Sequence, residues 1–144
     1  MISVVKNLGS FYICDDNELI IKEYRKVNSL LSKAYWIQNR DDETMRKAML
    51  NSLNYAVFEQ QSQCLVGYAR VITDYASMYY LSDVFIDEQF RGKGLGTALV
   101  EYICLTDERI IALNGMLKTR DAQSLYQKFG FEQCNVSCMV QNRQ

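Results

Sequence analysis

The sequence predicts a mixed α/β domain, and three observations carry that prediction. Strand-like apolar runs alternate with helical stripes along the chain. Two of those runs, 55–58 and 64–72, flank a polar turn at 59–63, which reads as an antiparallel hairpin. A glycine-rich turn at 91–96 separates a third apolar run from an amphipathic helix.

Each element has its own signal. Residues 11–15 read as a first strand, and Asp16 or Asn17 is placed to cap the helix that follows. Ile20, Tyr24, Val27, Leu31, Ala34 and Tyr35 recur at three- and four-residue steps, one continuous helical stripe. A second helix is expected to begin near Asp41 or Asp42, with Met45, Ala48, Met49 and Leu53 on one side and Glu43 four residues before Lys47. After the hairpin, residues 78–86 are apolar on both faces and so predict a central strand. Leu95, Ala98, Leu99, Tyr102 and Ile103 mark the helix leaving the glycine turn. A short strand is predicted at 115–118, a last helix on Ala122, Leu125, Tyr126 and Phe129, with Gly130 to end it, and a final strand at 131–140.

Composition narrows the function. The 144 residues suit one domain, 1–144, and with 49% apolar content the chain can bury a core. A net charge of −1 points to neither nucleic acid nor a membrane surface as partner. No apolar run is long enough to span a bilayer, and residues 1–6 lack the apolar core of a signal peptide, so a soluble, cytoplasmic protein is expected. The five cysteines, Cys14, Cys64, Cys104, Cys134 and Cys138, are scattered and read as small hydrophobes with reduced thiols. Histidine is absent, which removes Ser-His-Asp triads, Cys-His dyads and His-containing zinc sites; no metal site is expected.

The turn at 91–96, Arg91-Gly92-Lys93-Gly94-Leu95-Gly96, holds the main chemical signal. Three glycines in five residues let a ligand approach the backbone. The amides of a helix start and its dipole favour an anion, and Arg91 and Lys93 add charge. A P-loop would need four residues between its first glycine and Gly-Lys-Ser/Thr, which is not the spacing here. In a Gly-x-Gly-x-x-Gly fingerprint counted from Gly92 the third glycine would fall on Thr97. The pattern that fits is Arg-x-x-Gly-x-Gly at Arg91, Gly94 and Gly96.

That loop resembles the pyrophosphate loop of the GNAT superfamily of acyl-CoA-dependent N-acyltransferases. A second stretch, from Thr119 through Ala122 and Tyr126 to Gly130 and Phe131, is similar to the family's later Asn-x-x-Ala-x-x-x-Tyr-x-x-x-Gly-Phe segment, with Thr119 in place of Asn. The resemblance covers roughly residues 11–140. It implies a mainly antiparallel central sheet, splayed at the cofactor site and flanked by helices, and transfer of an acetyl group from acetyl-CoA to an amine acceptor. It places Val84, Phe85 and Ile86 along the cofactor's pantetheine and Arg91, Gly92, Lys93, Gly94, Leu95, Gly96 and Thr97 around its pyrophosphate. It gives Tyr126 the role of general acid: a tyrosine hydroxyl, pKa about 10, can protonate a departing thiolate, pKa about 8.5. Read from spacing alone, Tyr126 is a core aromatic on the stripe with Leu125 and Phe129. Asp83 is the second catalytic candidate. Flanked on its face by Leu81 and Phe85, it binds the incoming ammonium or relays its proton through water, or else it pairs with a nearby arginine such as Arg70 or simply faces solvent. Tyr35 and Trp36 are expected to wall the acceptor pocket, while Arg40 and Asp74 read as solvated surface charges. A catalytically silent acyl-CoA-binding module is the alternative function, and the protein is expected as a monomer or homodimer.

Overall fold

A computed structural model describes residues 4–34 and 40–143. Six strands form one sheet in chain order: β1 (Lys6–Asn7), β2 (Phe11–Cys14), β3 (Leu53–Glu59), β4 (Leu65–Thr73), β5 (Met78–Ile86) and β6 (Asn114–Met116). The first five pair antiparallel; β6 returns parallel to β5. Helices α1 (Asn17–Ile21), α2 (Tyr24–Leu31) and α3 (Asp42–Leu50) follow β2, α4 (Leu95–Leu105) follows β5, and α5 (Gln123–Gln127) follows β6. The mixed sheet with flanking helices is the predicted fold class.

Two apolar clusters cover the two faces of the sheet. On one, Ile20, Val27, Leu31, Met45 and Met49 of α1–α3 pack on Tyr12, Ala56 and Tyr68. On the other, Leu95, Leu99 and Ile103 of α4 pack on Ile13, Tyr55, Val57, Val71 and Leu81. Burying each of these large side chains contributes roughly 1.5–3 kcal/mol.

The expected single first helix is instead two. Its stripe survives, with Ile20, Val27, Leu31 and Ala34 buried, but the Glu23 amide bonds the Ile20 carbonyl at 2.9 Å and tightens the chain between α1 and α2. The β-branched pair Ile20-Ile21 is a weak place to continue a helix. Asp16 caps α1 and Asp41 caps α3, accepting from the Leu19 and Thr44 amides.

The predicted last strand does not form. Residues 132–143 are exposed; Val136, Met139 and Val140 are more than half exposed, and Val136 is the sole aliphatic side chain between Phe131 and Met139. That stretch has too little apolar surface to repay ordering against the sheet. Phe131 does pack, edge-on against Tyr126. The strand expected at 115–118 is the shorter β6. Gly115 permits it: a Cβ there would lie 2.4 Å from the Tyr79 ring, so only glycine lets β6 approach β5.

A bulge in β5 decides the geometry of the cleft. Tyr68 pairs with Phe85 and Arg70 with Ser82, so Asp83 and Val84 together oppose Ala69. Asp83 takes a left-handed backbone, φ 55°, which Asp tolerates better than most residues. The extra residue inverts the in–out alternation. Leu81 therefore packs towards α4 and Phe85 towards α1–α3, not on one face as the plain strand pattern predicts.

Candidate active site

β5 is central only at its start. Met78, Tyr79 and Tyr80 pair with Asn114, Gly115 and Met116 of β6; beyond Tyr80 the two chains part. An open cleft of about 1050 Å³ occupies the gap. One wall is Tyr80 to Ile86, the far wall is Leu117 to Ala122 with Ser124, Leu125, Tyr126 and Lys128, and the end is the glycine turn with the start of α4.

The turn leaves its backbone bare at the start of a helix. Gly92 and Gly94 sit at φ 80° and 78°, with nothing within 4 Å of where a Cβ would stand. Gly94 is the N-cap of α4, and no side chain caps that helix. Its first turn, opened by Leu95, Gly96 and Thr97, therefore presents backbone amides and the positive end of the helix dipole. Leu95 anchors the turn in the core at 4% exposure. Arg91 folds back along β5: its Nε donates to the Ile86 carbonyl at 3.0 Å and its guanidinium lies 5.1 Å from the centre of the Phe85 ring.

The cleft gathers Asp83, Val84, Phe85, Ile86, Arg91, Gly92, Gly94, Leu95, Gly96, Thr97 and Tyr126 from the sequence-derived set. Lys93 is not in its lining; it borders a smaller neighbouring pocket with Leu8, Ser10 and Phe11. Tyr35 and Trp36, expected in the acceptor pocket, lie outside the described residues. Sequence reasoning missed Lys118, Arg120 and Lys128, which also line the cleft. Their clustering around the Thr119-to-Phe131 segment was a usable signal. Thr119 lines the cleft as well, and its hydroxyl accepts from the Ala122 amide at 3.0 Å, fixing the entry to α5.

Tyr126 projects from α5 and packs against the cluster beneath α4. Its hydroxyl has no hydrogen-bond partner among the described residues, which leave no buried side-chain nitrogen or oxygen unsatisfied. The hydroxyl is therefore open to solvent in the cleft. Burial, then the neighbouring Cys104, pushes its pKa up to about 12.

Asp83 is 5% exposed and carries two arginines. Its Oδ2 accepts from Arg70 Nε at 2.9 Å and Arg40 Nη1 at 2.8 Å; Arg40 Nη2 reaches Oδ1 at 3.4 Å. Burial alone would raise its pKa, but the two guanidiniums outweigh it and hold the carboxyl below its ordinary range. Arg40 is thus an inward-facing partner of Asp83, not the solvated charge its sequence context suggests. Asp74 does lie at the surface, closing the β4–β5 turn by accepting from the Ala76 and Ser77 amides.

An opened sheet edge that ends at an uncapped, glycine-rich helix start defines a class of mixed-sheet protein with its cleft between two parted strands. Comparison with known proteins agrees. The Acetyltransferase (GNAT) domain family matches residues 51–133. A chloroplastic GCN5-related N-acetyltransferase 2 from Arabidopsis thaliana is 35% identical over 75 residues, 51% of this chain and 29% of that protein. The chain thus aligns with less than a third of that relative's length. A GNAT-family protein from Xanthomonas campestris pv. campestris superposes with a TM-score of 0.80 at 26% identity, covering 93% of this chain and 96% of that one. A Clostridium acetobutylicum protein crystallised with acetyl-CoA shares the fold, with a TM-score of 0.66 at 14% identity, covering 91% of this chain and 94% of the other. The chain belongs to the GNAT acetyltransferase family.

Proposed function

We propose that the protein transfers an acetyl group from acetyl-CoA directly to an amine acceptor. The observation that carries this reading is the cleft itself, with Tyr126 on one wall and an uncapped helix start at its end. The residues fit the cosubstrate. Gly92, Gly94, Gly96 and the first amides of α4 would hold the pyrophosphate, with cationic Lys118, Arg120 and Lys128 along the far wall. The stretch Val84, Phe85 and Ile86 of β5, past the residues that pair with β6, would receive pantetheine amides. When bound, acetyl-CoA supplies an activated acetyl group, whose C–S bond breaks as the C–N bond to the amine forms.

Tyr126 donates its phenolic proton to the departing thiolate and is reprotonated by water in the open cleft. Its raised pKa keeps it protonated across the neutral range, the state an acid must hold before reaction. Asp83 has a different task from the one its position alone suggests. A carboxylate already shared by two guanidiniums is a poor base and a poor ammonium ligand, so we assign it to positioning Arg40 and Arg70. The amine then loses its proton to solvent.

The test is thiol release from acetyl-CoA across a panel of amines, for the unmodified protein and for Tyr126→Phe. The variant should lose about 10²–10⁴ in kcat while calorimetry shows unchanged acetyl-CoA affinity. Retained kcat would make Tyr126 a packing residue. Acetyl-CoA binding with no thiol release from any amine would make the protein a silent binding module.

A further inference from the structure

The strongest unexplained feature is the charge count around Asp83. Two guanidiniums share one carboxylate, and all three side chains are largely withdrawn from water: 22% exposure for Arg40, 10% for Arg70 and 2% for Asp83. Arg70 is otherwise held by the Ser52 hydroxyl at 3.1 Å, a neutral partner. The acids nearest Arg40 in sequence, Asp41 and Asp42, both lie exposed and are turned to other partners: Asp41 accepts from the Thr44 amide and Asp42 from Asn28. The cluster thus holds one positive charge more than it balances, and a sheltered charge is costly unless something pairs it.

Arg40 shows where a partner would act. Its Nη1 donates to Asp83 and also to the Met45 sulfur at 3.3 Å, a weak acceptor for so strong a donor. Its Nη2 spends one hydrogen on Asp83. The Nε hydrogen and the second Nη2 hydrogen have no acceptor among the described residues. Asn28 pins this residue's backbone, donating to the Arg40 carbonyl at 3.0 Å, and the bonds to Asp83 hold the guanidinium. Arg40 is not itself in the lining of the cleft between β5 and β6; it stands behind Asp83, which lines that cleft at the bulge, one hydrogen bond away.

We infer that Arg40, supported by Asp83 and Arg70, recognises an oxyanion, carboxylate or phosphate, on the acceptor amine. This rests on the acetyl-transfer reading and names its substrate class: amines that also carry an acid. A fixed guanidinium edge suits an oxyanion through paired N–H donors. The same excess positive charge disfavours an ammonium beside it, so it favours the free amine that must react.

The test separates anion recognition from catalysis by using acetylated, unreactive probes in the presence of CoA. Calorimetry compares N-acetylglycine with N-acetylglycinamide, and O-phospho-N-acetylethanolamine with N-acetylethanolamine. One acid should bind at least about 10-fold tighter than its neutral partner, the scale of a charge-assisted hydrogen bond, and the pair that does so says whether carboxylate or phosphate is taken. Arg40→Gln should erase that preference and Arg40→Lys keep part of it. With reactive acceptors, the acid-to-neutral ratio of kcat/KM should collapse in the same order. Equal or undetectable binding within both pairs overturns the inference, as does a preference that survives Arg40→Gln. Should Arg40→Gln fail to fold, the unmodified protein and Arg40→Lys decide. An acid preference without thiol release from any acidic amine would uphold the anion site and sink the transfer reading, so the two fail separately.

Discussion

Among the described residues two carboxylates are buried against arginine, and they are built in opposite ways. Asp83, at the bulge in β5, faces Arg40 and Arg70 with no second acid. Asp107, just past α4, shares its one arginine with another acid. Arg109 Nη2 lies 2.7 Å from Asp107 Oδ2 and 3.2 Å from Asp15 Oδ2. Neutral donors complete that second cluster: Tyr55 donates to Asp107 at 2.5 Å and Tyr102 to Asp15 at 2.8 Å. The Asp107 cluster lies outside the cleft lining and ties the end of α4 to β3 and to the residue after β2. One cluster is closed on itself; the other keeps a cation with no second acid to balance it among the described residues. Burial of charge alone does not mark a site, and the balance of charge within the burial separates lock from receptor.

The largest expected effect is on Asp83. Asp83→Asn leaves two sheltered guanidiniums with no counter-ion and should cost about 3–5 kcal/mol, a fall in Tm of roughly 10–20 °C by calorimetry. A fall of under a few degrees would mean that solvent already balances the arginines, and the contrast with Asp107 would vanish.

Asp107→Asn should cost less, about 1–2 kcal/mol by denaturant titration, because Arg109 keeps Asp15 and the amide oxygen still accepts from Tyr55. Acetyl-CoA affinity and kcat should be unchanged. Lost activity in a folded Asp107→Asn protein would break the division between lock and receptor.

Acid titration sharpens the comparison with the smallest effect. At Asp107, as at Asp83, burial pushes the carboxyl up, but here the bonds from Arg109 and Tyr55 prevail and hold it below its ordinary range. The unfolded chain therefore binds more protons as pH falls. The stability from both carboxylates is fully present above the unfolded value of about 3.9 and is lost as pH drops through the lower folded values. Circular dichroism should show an acid limb below pH ~4 that flattens in either variant.

Much of the site was legible because it is local. The glycines of 91–96 announce a bare turn between strand and helix in six consecutive residues, and Leu95, Leu99 and Ile103 show which side of α4 is buried. The hairpin of β3 and β4 and the caps Asp16 and Asp41 depend on neighbours a few residues apart. The identity of Tyr126 as a cleft residue was legible only through family resemblance, since its spacing equally describes packing.

What the sequence determined by itself was local: which segments become helix or strand, and where the backbone lies bare at a helix start. Those properties rest on periodicity, capping and glycine's freedom at positive φ. Tertiary structure decided the rest. It set the bulge that turns Asp83 towards Arg70, the use of Arg40 as its second partner, the exclusion of Lys93 from the cleft and the absence of a last strand. Arg40 and Asp83 stand 43 residues apart in the chain. Their meeting follows from strand register and from where Arg40, two residues before α3, stands against β5. A pairing of that kind leaves no period in the sequence, because its energy exists only once both elements are in place.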